Sequence, residues 1–124
     1  MNLQSKPRRI SAWILTTLIT LFFVFSAIAK LLGAAQVIEA FTKWGLRDRV
    51  ILIGIGELVS ALLFFIPRTN SLGVLLLSAY MGGAIVTHMQ HAEPFYGQSV
   101  LLLLIWIAGY LRHAELLQSF RAQE

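Results

Sequence analysis

Long apolar runs separated by short polar breaks dominate the hydropathy pattern of the chain. A membrane-crossing helix needs about 20 mainly apolar residues, with a range of about 17–25. On this basis we predict four transmembrane helices, over residues 10–32, 50–66, 72–91 and 96–111. Because only the turn at residues 67–70 separates the second from the third, these two are expected to be antiparallel neighbours. The pattern therefore predicts an all-α integral membrane four-helix bundle.

A shorter, less apolar segment lies between the first and second predicted spans, at residues 34–44. Val37, Phe41 and Trp44 recur there at i, i+4 and i+7, which places them on one face of a helix. Gly45 supplies a stop signal at its carboxyl end. We predict a short amphipathic helix at the membrane interface, with an ordered connecting loop as the alternative.

The composition agrees with a single membrane domain over residues 10–112. Hydrophobic residues make up 57% of the chain and charged residues 13%, with a mean hydropathy of +0.73, whereas about a quarter of the residues of soluble domains are charged. Residues 1–9 form a basic arm and residues 113–124 a polar tail. The net charge of +4 comes mostly from short basic flanks of the apolar runs, so it indicates contact with the lipid bilayer and no nucleic-acid binding.

The absence of cysteine from the chain excludes several kinds of redox chemistry. Thiolate nucleophiles, disulfide exchange and iron–sulfur ligation all need cysteine sulfur. Any redox activity would therefore require a bound cofactor or a partner subunit.

The distribution of basic residues predicts the orientation of the spans. Four spans place one group of basic side chains on the side of the termini: Lys6, Arg8, Arg9, Arg68, Arg112 and Arg121. The opposite side has three: Lys43, Arg47 and Arg49. Since basic residues are enriched on the cytoplasmic side, we predict a multi-pass protein of the inner (cytoplasmic) membrane with both termini in the cytoplasm.

A cleavable signal peptide is the competing interpretation of the first span, because Ala27-Ile28-Ala29 has the form of a cleavage site. The apolar run exceeds the usual ~7–15 residues of a signal peptide. We therefore interpret residues 10–32 as a retained span.

A carboxylate near the middle of the second span is the strongest indication of a polar site. Glu57 costs several kcal/mol at bilayer depth unless it faces the protein interior and finds a partner. The predicted topology brings polar residues of three spans, together with Gln98, to one layer of the membrane. The candidate ligand-binding residues are Lys30, Glu57, Ser60, Tyr80, His88 and His91, and the candidate catalytic residues among them are Glu57, Lys30 and His88.

Each of these candidates also has a structural interpretation. Lys30 and Glu57 either form a buried pair that sets the protonation state of a ligand site or a salt bridge that fixes helix register, and Lys30 could also extend to the interface. His88 and His91 form an H-x-x-H pair, but a closed metal site takes about four ligands and His113 lies on the opposite side. We therefore expect no metal or haem. Hydrogen bonding to a polar head group, proton relay with Glu57, or interfacial histidines without chemistry remain as alternatives.

Several short segments, in their order and spacing, resemble the DoxX and DoxX-like membrane proteins over about residues 22–111. They are Phe25–Leu31, Phe41–Leu46, Gly54–Leu58, the turn at Pro67, and Gly83–His88. The resemblance implies a four-span helical bundle with Lys30, Glu57 and His88 at recurrent polar positions. It also implies quinone-linked redox work, because the family is named after a membrane subunit of a thiosulfate:quinone oxidoreductase. Ala27 and Ala29 depart from the family pattern, in which a glycine commonly precedes the lysine.

Three functions are compatible with these observations. The first is a subunit or accessory of a quinone-linked membrane oxidoreductase, with a partner membrane or redox subunit; the sequence does not identify the cofactor, and quinone is the candidate. Glu57 would then accept a proton or contact the ligand, with Lys30 as counter-charge and His88 as hydrogen-bond partner. The alternative is a non-catalytic membrane scaffold, or a protein that binds a lipid or small molecule. A small transporter is the third, although the two halves show no inverted repeat.

Overall fold

The structure is a computed structural model that describes the backbone of residues 6–120 and the side chains of residues 6–117. This part of the chain is all-helical and contains no strand, as predicted. The main helices are α1 (Lys6–Leu31), α2 (Ala35–Lys43), α3 (Val50–Phe65), α4 (Asn70–Gln90) and α5 (Tyr96–Arg112). Single 3₁₀ segments occur at Arg47–Arg49, Pro67–Thr69 and Ala114–Phe120. Residues 1–5 of the predicted basic arm and Arg121 lie outside the described residues.

The helices begin and end close to the limits of the apolar runs and to the glycine and proline residues between them. α1 begins at Lys6, so the basic residues from Lys6 onward belong to the first helix rather than to a separate arm. A helix is present at Ala35–Lys43, where a loop was the alternative. Gly33 and Gly45 flank it with positive φ values of 69° and 75°, a conformation that glycine adopts without steric cost.

Four of the helices pack in a closed arrangement. α1 and α4 each pack against both α3 and α5. Their shared core is formed by large apolar side chains together with small ones at the closest approaches: Ile19, Phe23, Ala61, Phe64, Val74, Leu77, Met81, Ile105 and Ala108. α3 and α4 approach closely at Gly73, where any Cβ would overlap the backbone of Phe64.

The outward faces of the same helices carry large exposed apolar side chains. Phe25 and Leu103 are 78% and 64% exposed, and similar residues occur on α3 and α4. Within the described chain, two helical segments, Lys6–Leu31 and Pro67–Gln90, are long and apolar enough to cross a membrane, and α5 is a shorter apolar helix. At about 1.5 Å per residue, the 16 residues of α3 extend about 24 Å.

The carboxyl end of α3 is closed by polar groups from other elements. Arg112 donates hydrogen bonds to the carbonyl oxygens of Phe64 and Phe65 at 2.7 and 2.8 Å, and Asn70 donates to Phe64 at 2.7 Å. The Arg112 guanidinium also lies 4.4 Å from the ring centroid of Trp13. Arg112 therefore satisfies carbonyl groups that a helix end leaves without intrahelical partners, in addition to contributing to the basic flank.

Candidate functional site

A buried ion pair joins α1 to α3. Lys30 Nζ lies 2.8 Å from Glu57 Oε1, and the two side chains are only 9% and 1% exposed. Lys30 also donates a hydrogen bond of 2.7 Å to Ser26 Oγ, one turn earlier on α1. Because a buried charge is tolerated when it is paired and hydrogen-bonded, the partner that the sequence required for Glu57 is Lys30.

Close helix packing brings the two charges together. A Cβ on Gly54, one turn before Glu57, would lie 3.1 Å from Lys30 Cβ and 3.4 Å from the carbonyl oxygen of Ala27. The glycine that permits the close approach is therefore on α3. This explains how alanines at positions 27 and 29 are compatible with tight packing beside Lys30.

Aromatic rings surround the Lys30 ammonium group. It lies 5.8 Å from the ring centroid of Tyr80 on α4 and 6.0 Å from that of Phe41 on α2, within the range of cation–π attraction. Tyr80 also interacts electrostatically with Glu57. The ion pair, which joins α1 to α3, is therefore also in contact with α2 and α4, through one apolar ring and one phenol ring.

The ion pair borders a cavity of about 900 Å³. Four of the six predicted ligand-binding residues line it, namely Lys30, Glu57, Tyr80 and His88. Most other lining side chains are apolar, among them Phe22, Phe23, Leu101 and Leu104. A largely apolar cavity with a few polar groups at one place is the usual form of a small-molecule site, for which volumes of about 300–1,000 Å³ are typical.

Ser60 and His91 do not line this cavity. Ser60 Oγ donates to the carbonyl oxygen of Gly56 at 2.7 Å, and His91 Nδ1 lies 2.8 Å from the carbonyl oxygen of Thr87. Both side chains are hydrogen-bonded to their own helices. Ser60 lies three residues after Glu57, and His91 lies three residues after His88. This spacing alone did not determine whether each side chain faces the cavity.

His88 occupies a polar corner of the cavity. Its Nδ1 lies 2.8 Å from the carbonyl oxygen of Ala84, which fixes the tautomer with the proton on Nδ1 in the neutral ring. Nε2 then accepts a hydrogen bond from Gln98 at 3.2 Å. The Trp44 ring lies against the imidazole, with centroids 5.1 Å apart. His88 is therefore held in a single orientation by groups from α2, α4 and α5.

Glu93, in the loop between α4 and α5, is a functional candidate that the sequence did not indicate. It pairs with Lys43 at 2.5 Å and accepts a hydrogen bond from the Trp44 indole at 3.1 Å, and His88 Nε2 is 3.8 Å away. The hydrogen bond from Lys43 lowers the pKa of the Glu93 carboxyl, and Trp44 and His88 act in the same direction. Only the folding of α2 back over the cavity brings these groups together.

α2 covers the polar end of the cavity. Val37, Phe41 and Trp44, the face that recurs at i, i+4 and i+7, all line it. The Phe41 and Trp44 rings lie 5.3 Å apart, and Phe41 is the one buried residue of this helix. The apolar face of α2 therefore forms a wall of the cavity.

The described residues hold no cluster of three or more His, Cys, Asp and Glu side chains that could bind a metal ion. His88 and His91, the pair that suggested a metal, are each bonded to backbone carbonyls through Nδ1. The hydrogen-bonding groups of the cavity instead suit an organic head group.

The described part of the chain is all-helical, exposes many large apolar side chains and holds a buried ion pair beside a cavity, as in a small membrane protein. The chain belongs to the DoxX-like family, whose family model matches residues 14–109. No curated protein and no solved structure gives a significant match. The matched range includes the ion pair, α2 and every residue that lines the cavity.

Proposed function

We propose that the protein binds a quinone in the cavity beside Lys30 and Glu57 and acts as a subunit or accessory of a quinone-linked membrane oxidoreductase. The observation that carries this proposal is the buried ion pair at the polar end of an otherwise apolar cavity. A quinone matches this combination, because it joins a planar head bearing hydrogen-bond acceptors to an apolar body.

The side chains at the polar end fit a quinone head. Phe41, Trp44 and Tyr80 offer ring faces against which a planar head can pack. The Gln98 amide and the Lys30 ammonium group each have an N–H group beyond those already bonded, and both border the cavity. A bound quinone supplies the electron-accepting group. In this proposal Lys30 and Glu57 would orient the head. When a partner redox subunit delivers electrons to the quinone, Glu57 would relay a proton to the reduced head, and Lys30 would balance the charge of the carboxylate.

The proposal includes a four-helix bundle that spans the inner membrane with both termini in the cytoplasm and α2 at the opposite interface. Two contacts support this arrangement, because they gather basic residues of distant helices at one end. Arg8 lies 5.4 Å from the ring centroid of Tyr110, and Arg112 closes the end of α3 beside the turn that contains Arg68. The amino end of α1 and the carboxyl ends of α3 and α5 thus share one end of the molecule.

Fluorescence of Trp44 tests quinone binding, since Trp44 lines the cavity and the other tryptophans, Trp13 and Trp106, do not. Titration of the solubilised protein with a short-chain benzoquinone should give saturable quenching. The quenching should disappear in Trp44→Phe, and binding should weaken about tenfold in Glu57→Gln, which corresponds to about 1.4 kcal/mol. Glu39→Gln, on the exposed face of α2, is the matched control and should bind as the unaltered protein does.

Mass spectrometry of extracts from the gently solubilised protein supplies an independent check. A co-purified quinone would support the proposal. If the extracts contain no quinone and the benzoquinone does not quench Trp44 saturably, the quinone-linked function is wrong.

A non-catalytic role is the second candidate, and the packing around Lys30 favours it. The stem of Lys30 lies against Gly54, and its ammonium group is already bonded to Ser26 and Glu57. These contacts fasten α1 to α3 whether or not a ligand is present. If the ion pair serves only this structural purpose, replacing it would change the stability of the protein. Any binding of quinone would then not depend on the pair.

A further inference from the structure

The cavity reaches the outer surface of the protein along α1 and α5. Phe22 on α1 and Val100 on α5 line it, and these side chains are 56% and 54% exposed. Phe22 lies eight positions before Lys30, which is about 12 Å along a helix. The cavity therefore has a polar end at the ion pair and an apolar arm that extends to the lipid-facing surface.

The lining residues follow this arm along both helices. On α5 the cavity is bordered from Gly97 to Leu104, a rise of about 10 Å. Phe23 and Leu101 supply further apolar walls. Since the arm contains no charged lining residue away from the ion pair, it suits a hydrocarbon chain.

The charges at the polar end select the head group. Lys30 is paired with Glu57, so the pair as a whole is neutral, and the Glu57 side chain is 1% exposed. An anionic head would lie beside this buried carboxylate, where like charges repel strongly because the surroundings are poorly polarisable. Tyr80 and Gln98 offer uncharged hydrogen-bonding groups instead. The polar end therefore favours an uncharged head over a carboxylate or a phosphate.

We infer that the ligand is an uncharged, chain-bearing lipid of the bilayer, whose head binds beside Lys30 and Glu57 and whose chain leaves between α1 and α5 past Phe22 and Val100. This inference rests on the proposed ligand cavity, and it specifies the charge of the ligand, its chain and the exit. Ala79 and Gly83 on α4 are also exposed lining residues. They lie close in sequence to Tyr80, so an exit there would release the head rather than the chain.

Photolabelling distinguishes the two exits. The probes are dodecanol and dodecanoic acid, each carrying a diazirine at the chain end, applied to the solubilised protein at about pH 8, where the acid is ionised. Labelling that excess unmodified dodecanol suppresses defines the specific fraction. We expect the alcohol to label peptides that contain Phe22 and Val100, and the acid to label them about tenfold less because of the buried carboxylate.

A pair of matched variants tests the exit directly. Val100→Phe adds bulk where the chain leaves, and Leu103→Phe makes the same change at a position that is 64% exposed and does not line the cavity. Val100→Phe should reduce specific labelling by the alcohol several-fold while the variant keeps the helical circular-dichroism signal of the unaltered protein. Leu103→Phe should leave both unchanged.

The outcomes separate this inference from the function on which it rests. Specific labelling at Ala79 and Gly83, or equal labelling by acid and alcohol, overturns the inference, while quenching of Trp44 by the benzoquinone would still support quinone binding. Specific labelling at Phe22 and Val100 without such quenching supports a lipid site and contradicts the quinone-linked role. Absence of both signals overturns both.

Discussion

Lys30 and Glu57 depend on each other for their place inside the protein. Removing one partner of a buried ion pair leaves the other charge uncompensated, whereas replacing both with apolar residues of similar size is often neutral. The pair is held at 2.8 Å with both side chains nearly inaccessible. Single replacements should therefore destabilise the protein, whereas the double replacement should change its stability little.

We predict that Glu57→Leu and Lys30→Met each lower the free energy of unfolding by about 3–5 kcal/mol, because each leaves one buried charge without a partner. The double variant should recover most of this loss. Reversible unfolding of the solubilised protein in a denaturing detergent, followed by circular dichroism, measures the differences. If the double variant is as unstable as the singles, the pair contributes through contacts other than its charges.

The same double variant separates a structural role from a ligand role. If it folds normally and no longer binds the short-chain benzoquinone, the charges serve the ligand. Unchanged binding in a stable double variant would indicate that the pair only joins α1 to α3.

The ion pair could be predicted from the sequence, but many of the contacts around it could not. A carboxylate within an apolar run needs a partner, and Lys30 lies in another run at a similar predicted depth. Glu93 lies in a loop and acquires its partners Lys43 and Trp44 only when α2 folds over the cavity. Arg112 was predicted as a cytoplasmic charge, and its bonds to the end of α3 depend on the packing of α5.

Among the helices, α2 differs most from its neighbours. It is joined to the preceding and following segments through Gly33 and Gly45 at positive φ, and it contributes one buried residue. Its carboxyl end is attached to the loop after α4 through Glu93, by way of Lys43 and Trp44. The apolar periodicity of α2 predicted a helix with one apolar face. It could not predict the cavity that this face covers, because the cavity forms only when several helices pack together.

We predict that Glu93→Gln loosens α2 at neutral pH, since it removes the charge that binds Lys43. Backbone amides of Ala35–Lys43 should exchange hydrogen for deuterium up to about fivefold faster, because exposed ion pairs contribute little. Mass spectrometry of deuterated peptides measures the change. Glu39→Gln serves as control within the same helix, and equal exchange in all three proteins would show that Glu93 does not hold α2.

The same attachment should depend on pH in a defined direction. The folded protein holds the pKa of Glu93 below its ordinary value, so the stabilisation is complete above the ordinary carboxyl range of about pH 4.3–4.5. It is lost as the pH falls through the lowered pKa. Exchange in α2, corrected for the intrinsic rate, should therefore remain constant from neutral pH down to mild acid and rise only below that range.

The complete arrangement of helices distributes the basic residues unequally between the two ends of the molecule. Packing gathers Arg8, the turn containing Arg68, and Arg112 at one end, and Lys43 lies with Glu93 near the cavity. The basic residues at the first end outnumber those at the second, and this asymmetry favours a cytoplasmic location for the first end. Because the cavity lies near the opposite end from these basic residues, this orientation would place the cavity in the outer half of the bilayer.

We predict that both termini and the α3–α4 turn face the cytoplasm. Since the chain contains no cysteine, single substitutions create unique labelling sites for a membrane-impermeant maleimide. Asp48→Cys, between α2 and α3, should be labelled in intact cells. Ser71→Cys, after the turn, should be labelled only once the membrane is permeabilised, because the surrounding basic residues retain it on the inner side. The opposite result for both would invert the orientation and place the cavity in the cytoplasmic half of the bilayer, whereas labelling of both in intact cells would contradict a membrane span between them.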